Sequence, residues 1–371
     1  MNEKLIALSV PVFFVSMIVE FFLNRAHLAK NPQPERLGAG AYRVADTFCN
    51  LACGIGNQLF DPVLRVFGFA AYAFCFAHGP GLFRGHETAE WVVAFVGVDF
   101  FYYWFHRASH RVNVFWAAHA VHHQSEEYNL SVALRQPWLE KILDVPFYLP
   151  LAFLGVRPEV YMTSFTVNLI YQFFLHATFV PKLGFLEYVL NTPSHHRVHH
   201  GIDPQYIDRN YGGMLIVWDR LFGSFEEEGA TVHYGTVKPL SSYNPLWANV
   251  AVWAQLAKIA ARTGRFVDKV AIFFAPPEWL PADHGGPVVV PPVSPERRLY
   301  DPHASRGAQV LAGAALIAGT VALVWFLEVQ STLPMAALLG ALALAVLVLA
   351  TAGRALGAHA PSVEASRSQA A

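Results

Sequence analysis

Charge is what this 371-residue chain has least of. Asp, Glu, Lys and Arg make up 14% of it against 54% hydrophobic residues, whereas soluble domains carry about 25% charge. A chain so depleted cannot coat a globule of this size, and with a mean hydropathy of +0.33 it is expected to be covered in part by lipid. Neither sign of charge is in excess. The 26 basic residues meet 27 acidic ones, which argues against nucleic acid as a partner, since that needs a broad basic face. Cysteine is nearly absent too: Cys49, Cys53 and Cys75 are too few for a paired disulfide framework or a cysteine-based zinc site. Cys49 and Cys53 lie in an apolar stretch and read as packing residues. No glycine-rich phosphate-binding fingerprint occurs. The chain therefore has no expected nicotinamide or flavin domain, and electrons must come from a diffusible reductant or an electron-donor protein.

Long apolar runs are what it does have. Residues 5–24 reach the roughly 20 residues that span a bilayer, with Glu20 their only charge. The run is too long for a cleaved signal peptide, and no small-residue cleavage site follows it. Residues 44–80 are apolar but interrupted by Asp61, Pro62 and Arg65, and read as a broken or re-entrant helical pair. Residues 90–106 form an aromatic-rich helix, 141–155 and 158–179 a hairpin hinged near Gly155 and Pro158, and 308–327 and 332–353 two further helices. Between these, 180–305 is more polar, its stretch 281–297 is a proline-rich linker, and the tail beyond Gly357 is small, polar and expected to be disordered. The resulting expectation is an all-α, polytopic membrane helix bundle. Its parts are N-terminal membrane helices (1–89), a histidine-bearing domain (90–245), an interfacial segment and linker (246–305), a C-terminal transmembrane pair (306–356) and a tail (357–371).

The Lys/Arg bias sets an orientation. Arg25, Lys30, Arg36 and Arg43 follow the first run, against Lys4 before it, and Arg107, Arg111, Arg135 and Lys141 follow the aromatic helix. The connectors 80–90 and 328–331 hold only Arg84. This predicts an N-terminus outside and a cytoplasmic central region.

Ten of the 17 histidines fall in residues 106–200, where an even spread would put roughly four. They come as His106 and His110, as His119, His122 and His123, as His176 alone, and as His195, His196, His199 and His200. Residues at i, i+3 and i+4 share a helical face, so H-x3-H and H-x2-H-H aim imidazoles at a common point from successive helices. Neutral imidazoles suit iron, zinc, copper or nickel, and suit magnesium or calcium poorly. Ten exceed what one metal accepts, so two metals are implied. Soluble di-iron carboxylate proteins use Glu-x-x-His pairs; none occurs near this cluster, which points to a site made wholly or nearly wholly of histidine. A membrane metal transporter is the rival from another class. It would spread polar ligands near the bilayer midplane, whereas these histidines sit mostly at helix ends.

At these residues the sequence resembles the fatty acid hydroxylase/sterol desaturase superfamily, and within it the glyceryl-ether branch. The matching words are DFFYYWFHRASH (99–110), WAAHAVHHQSEEYNLSVALRQ (116–136), YQFFLHATFVPKLGFLEYVLNTPSHHRVHHG (171–201), IDRNYGGMLIVWDRLFGSFE (207–226) and YGTVKPL (234–240). The resemblance implies a membrane di-iron oxygenase that uses O2 and two electrons on a lipid C–H bond. In this branch the ether-linked carbon of an alkylglycerol is hydroxylated, the product collapses to aldehyde and glycerol, and tetrahydrobiopterin supplies the electrons. The implied iron ligands are His106, His110, His119, His122, His123, His196, His199 and His200; His176 and His195 match less universal positions, as ligands or as residues behind them. One position departs, because the branch carries an acidic residue where this chain has Arg111. A sterol C5-desaturase or fatty acyl hydroxylase would share the site with a different electron donor. The runs over 308–353 have no counterpart and read as an added anchor or dimerisation element.

Several polar residues flank these motifs. Asp99, seven residues before His106 on the same helical face, either accepts a hydrogen bond from a ligand imidazole or pairs with a nearby Tyr or Arg. Glu126, Glu127 and Asn129 follow the second motif closely enough to reach the metals or line a pocket, or else are solvated. Asp208, Asn210 and Asp219 either support ligands or cap turns, and the family words favour support. Arg135 and Gln136 face a headgroup or reductant, or lock a helix.

Overall fold

The computed structural model describes residues 3–31, 38–229, 231–294, 296–330 and 332–357. The expected disordered tail beyond 357, and Arg36, lie outside the described residues. Among them are twelve α-helices and no strand: α1 (Glu3–Lys30), α2 (Val44–His78), α3 (Glu87–Arg111), α4 (Asn113–His123), α5 (Glu140–Leu154), α6 (Pro158–Leu175), α7 (Pro193–His199), α8 (Val217–Phe222), α9 (Pro245–Arg262), α10 (Phe266–Phe274), α11 (Arg306–Val329) and α12 (Met335–Gly357). Four of them, α1, α2, α11 and α12, are long and apolar enough to cross a membrane. The outer faces of α1 and α11 present Leu8, Phe22, Val310 and Ile317, each more than 60% exposed, as helices solvated by lipid do.

Where a broken pair was expected over 44–80, α2 is one continuous helix that carries Pro62 inside it. A proline there removes one backbone hydrogen bond and crowds the preceding turn, at about 3 kcal/mol. Tertiary packing on both sides offsets that cost. One side of α2 meets α5. The other buries Phe48, Cys49, Ala52, Cys53 and Leu59 against Ala312, Ala315 and Leu349 of α11 and α12. The charges that suggested a break are absorbed locally, since Arg65 pairs with Asp61 one turn away. The C-terminal pair is therefore packed into the core. Gly353 of α12 has no room for a Cβ against the backbone of Tyr243 and Asn244.

Three reversals bring the histidine motifs together. Val112 adopts an extended conformation (φ −135°, ψ 122°) that ends α3 and starts α4, turning the second motif back on the first. Gly155, at φ +101°, reverses the chain between α5 and α6, and Pro158 opens α6 where its missing N–H costs nothing. Pro193 does the same for α7 after the extended Thr192. The N-terminal segment is tied in through α1, whose buried Glu20 accepts hydrogen bonds from Tyr42 and from the backbone N–H of Leu130.

Candidate metal centre

Nine imidazoles from four elements converge into two adjoining groups. His106, His110, His119, His123 and His199 form one; His122, His176, His196 and His200 form the other. Within each, one ligand atom per residue lies within 4.8 Å of all the others, and every member is buried. The groups touch, for His123 and His200 stack with centroids 4.3 Å apart.

Second nitrogens fix the tautomers. His106 Nδ1 bonds the Tyr211 carbonyl at 2.8 Å, His122 Nδ1 the Arg135 carbonyl at 3.3 Å, His176 Nδ1 the Gln172 carbonyl at 3.0 Å and His199 Nδ1 the Arg209 carbonyl at 3.0 Å. A carbonyl only accepts, so in each ring the proton is on Nδ1 and Nε2 carries a bare lone pair. His119 Nδ1 is 2.7 Å from Glu140 Oε1, which does the same with a carboxylate. The bare Nε2 atoms then face one another: His106 and His119 at 3.1 Å, His122 and His176 at 3.1 Å. Opposed lone pairs at that separation repel unless a cation lies between them. Metal–nitrogen bonds of about 2.1 Å at right angles would space two nitrogens about 3.0 Å apart. The Nε2 atoms of His110, His199 and His200 are buried without a hydrogen-bond partner, a state that costs about 1–3 kcal/mol per group if nothing else binds there. The donor set thus fits two imidazole-bound metals.

Burial keeps these rings in the form that binds metal. Desolvation, and then the neighbouring imidazoles, push His123, His196 and His200 well below the ordinary histidine value. Burial takes His199 down to about 3, against the raising effect of its bond to the Arg209 carbonyl.

Four of the seven acidic and amide residues expected at the site act at one remove, through the 208–215 loop that supplies the Arg209 and Tyr211 carbonyls. Asp99 meets no imidazole. It accepts from the N–H groups of Met214 (2.6 Å) and Leu215 (3.2 Å), from Trp218 Nε1 (2.8 Å) and from Asn168 Nδ2 (2.9 Å). Asp219 clasps the same loop through Tyr211 N, Gly212 N and Ser224 Oγ, each at 2.7 Å. Asn210, at φ +54°, ties the loop to α7 by donating to the His195 carbonyl at 3.1 Å. Asp208 stands nearest a ring, with Oδ1 3.7 Å from His110 Nδ1, while its other oxygen pairs with Arg111. Arg111 also reaches Glu278 at 3.1 Å, so the departure from the family pattern builds a surface ion-pair network beside His110.

The other three face away from the metals. Glu126 accepts from Arg297 Nη2 (3.2 Å) and Tyr300 N (2.7 Å), strapping the linker down, and Glu127 pairs with Arg43. Asn129 caps the short turn Leu130–Leu134 by accepting from Ser131 N at 2.9 Å. His195, expected as a ligand, lies outside both groups. Successive residues on a helix diverge by about 100°, so with His196, His199 and His200 facing inward it turns toward Phe225, its Nε2 3.9 Å from Glu187. Arg135 locks the site: it is buried, donates to the Val121 carbonyl (2.7 Å) and Asn50 (3.0 Å), and offers its own carbonyl to His122. Sequence reasoning missed Glu140. Its one signal was an acidic residue opening a helix near the second motif, which many helices share.

An all-α protein with two buried imidazole clusters beside apolar, membrane-length helices is the class that this fold and site define. Residues 91–224 match the family model described as fatty acid hydroxylase, and the chain is similar to alkylglycerol monooxygenases. It is 37% identical to the alkylglycerol monooxygenase of Xenopus tropicalis over 300 residues, 78% of this chain and 63% of that protein. It is 38% identical to the human one over 273 residues, 73% of this chain and 59% of that protein. An ornithine lipid hydroxylase of Rhizobium tropici is 27% identical over 185 residues, 47% of this chain and 54% of that protein. The chain thus spans about three fifths of the length of the two alkylglycerol monooxygenases. No solved structure matches it.

Proposed function

We propose that this protein is an integral-membrane di-iron monooxygenase that hydroxylates the ether-linked carbon of alkylglycerols, giving aldehyde and glycerol. The observation that carries the reading is the pair of imidazole groups with opposed, unprotonated Nε2 atoms. The homology selects the chemistry: identity is 37–38% to alkylglycerol monooxygenases and 27% to the ornithine lipid hydroxylase. The ligands we assign are the nine clustered histidines, without His195. Two irons bound there supply O2 reduction and oxidation of an unactivated C–H bond, which zinc cannot do. O2 and a membrane lipid are the substrates, and tetrahydrobiopterin the reductant.

The chain's own residues do the rest. Backbone carbonyls of Tyr211, Arg135, Gln172 and Arg209 hold the Nδ1 protons and keep each Nε2 aimed inward. Glu140 does so with a carboxylate, which makes His119 Nε2 the stronger electron donor to a bound metal. Burial of all nine rings excludes water from the centre.

The test is metal analysis of detergent-purified protein together with alkylglycerol turnover, with and without tetrahydrobiopterin. Two irons per chain and pterin-dependent aldehyde release are expected. Two irons without release would move the substrate to sterols or acyl chains, and zinc alone would refute the mechanism. Replacing His122 or His199 by Ala should abolish turnover and lower metal content.

A further inference from the structure

A groove lies outside the histidine site, between α2 and the α5–α6 hairpin. On α2 it is lined by Asp61, Arg65, Phe69 and Tyr72, positions i, i+4, i+8 and i+11 of one helical face, about 16 Å from end to end. Its composition changes along that length. At one end Asp61 and Arg65 meet Lys141 and Asp144 of α5. At the other, Tyr72 stacks on Tyr161 of α6 with centroids 4.5 Å apart, beside Met162. The charged end is the one toward the histidines. Glu140, which holds His119, and Asp144 are four residues apart on α5, a rise of about 6 Å.

Such a gradient suits an amphiphile. Two acids and two bases leave the polar end without net charge, so an ionic headgroup gains little there. A hydroxyl can both donate to a carboxylate and accept from an ammonium or guanidinium. Asp144 is 6% exposed, and the Lys141 ammonium stands 3.5 Å from its Oδ2, which leaves the carboxylate acceptor capacity toward the groove. The groove holds about 80 Å³: room for a small polar head, with a long chain left along its open side.

We propose that this groove binds the lipid substrate. The hydroxylated headgroup lies among Asp61, Arg65, Lys141 and Asp144, and the alkyl chain runs over Phe69, Tyr72, Tyr161 and Met162. The inference rests on the monooxygenase reading and deepens it, by naming the groove that receives the alkylglycerol before its ether carbon reaches the histidines.

The experiment uses the full chain in lipid nanodiscs and a 1-O-alkylglycerol with a photoreactive diazirine on its alkyl chain. Label is expected on the peptides containing Phe69, Tyr72, Tyr161 and Met162, and unlabelled alkylglycerol should compete it away. Val145→Phe, which fills the groove from α5, should abolish the label while iron content and melting midpoint hold. Met162→Trp serves the same purpose if Val145→Phe does not fold. Asp144→Asn should raise KM for alkylglycerol about tenfold, the scale of one hydrogen bond to a charged group, and Asp144→Glu should recover part of it. Label on other helices, or an unchanged KM in both Asp144→Asn and the filled variant, overturns the groove while wild-type turnover leaves the monooxygenase reading standing. Iron-loaded wild type that neither takes the label nor turns over alkylglycerol overturns both.

Discussion

Glu140 reaches back across 21 residues to the imidazole it serves. Its carboxylate fixes the His119 proton on Nδ1 and raises the donor strength of Nε2, and losing such a partner typically costs 10–100-fold in metal affinity. Glu140→Gln should therefore weaken the five-histidine group and spare the other, so that iron falls from two per chain toward one as chelator is titrated. His195→Ala, by contrast, should keep both irons. The clustered rings also set a pH dependence. In the unfolded chain each imidazole titrates near about 6.5, while in the folded chain burial holds His123, His196 and His200 well below that and His199 at about 3. Between those values the unfolded state takes up protons that the folded state does not, so stability falls as pH drops and is fully present above about 6.5. The melting midpoint of metal-stripped protein in detergent should be level from pH 9 to 7 and decline from 6.5 to 5; a midpoint level down to pH 5 would contradict the assignment of buried neutral rings.

The 208–215 loop shows why some of the site could be read in the sequence and some could not. Imidazoles at i, i+3 and i+4 share a face whatever the surroundings, so the spacing of His119, His122 and His123 already tells that they face one centre, though not that His122 joins a different group from His119 and His123. The loop that holds their partners' protons has no such period. Asp99 on α3 and Asp219 on α8 meet at it because the chain reverses between them, and neither residue's neighbours in sequence announce a contact with the Tyr211–Leu215 backbone. The same holds for α2, where Pro62 signalled a break that packing against α5 and α11 overrides. Apolar runs showed where helices lie and left unstated which of them would brace each other. Asp219→Ala tests what the loop does. It leaves two buried N–H groups without an acceptor, a loss on the order of 3 kcal/mol, and frees the carbonyls that orient His106 and His199. A lowered melting midpoint is expected together with reduced iron. A fall in stability at full iron occupancy would mean that the loop braces the fold without orienting the rings.

Across the whole molecule, the helix ends sort into two sets. At the histidine end, Arg43 at the start of α2 meets Glu127 just after α4, and the ends of α3 and α6 carry His110 and His176. At the far end, Leu82 beyond α2 donates to the Leu154 carbonyl that closes α5. The basic residues divide the same way: Arg43, Arg107, Arg111, Arg197 and Arg297 sit with the histidines, against Arg84 and Arg157 in the far connectors. An excess of Lys and Arg marks the cytoplasmic side of a membrane protein, so the metal centre should face the cytoplasm, where a soluble reductant can reach it. Cysteine accessibility in sealed right-side-out membranes decides this. Val289 in the linker is 87% exposed and His86 in the far connector is exposed as well. With a membrane-impermeant thiol reagent, His86→Cys should label at once and Val289→Cys only after permeabilisation. The reverse pattern would place the centre outside, and would require a reductant other than a cytoplasmic pterin.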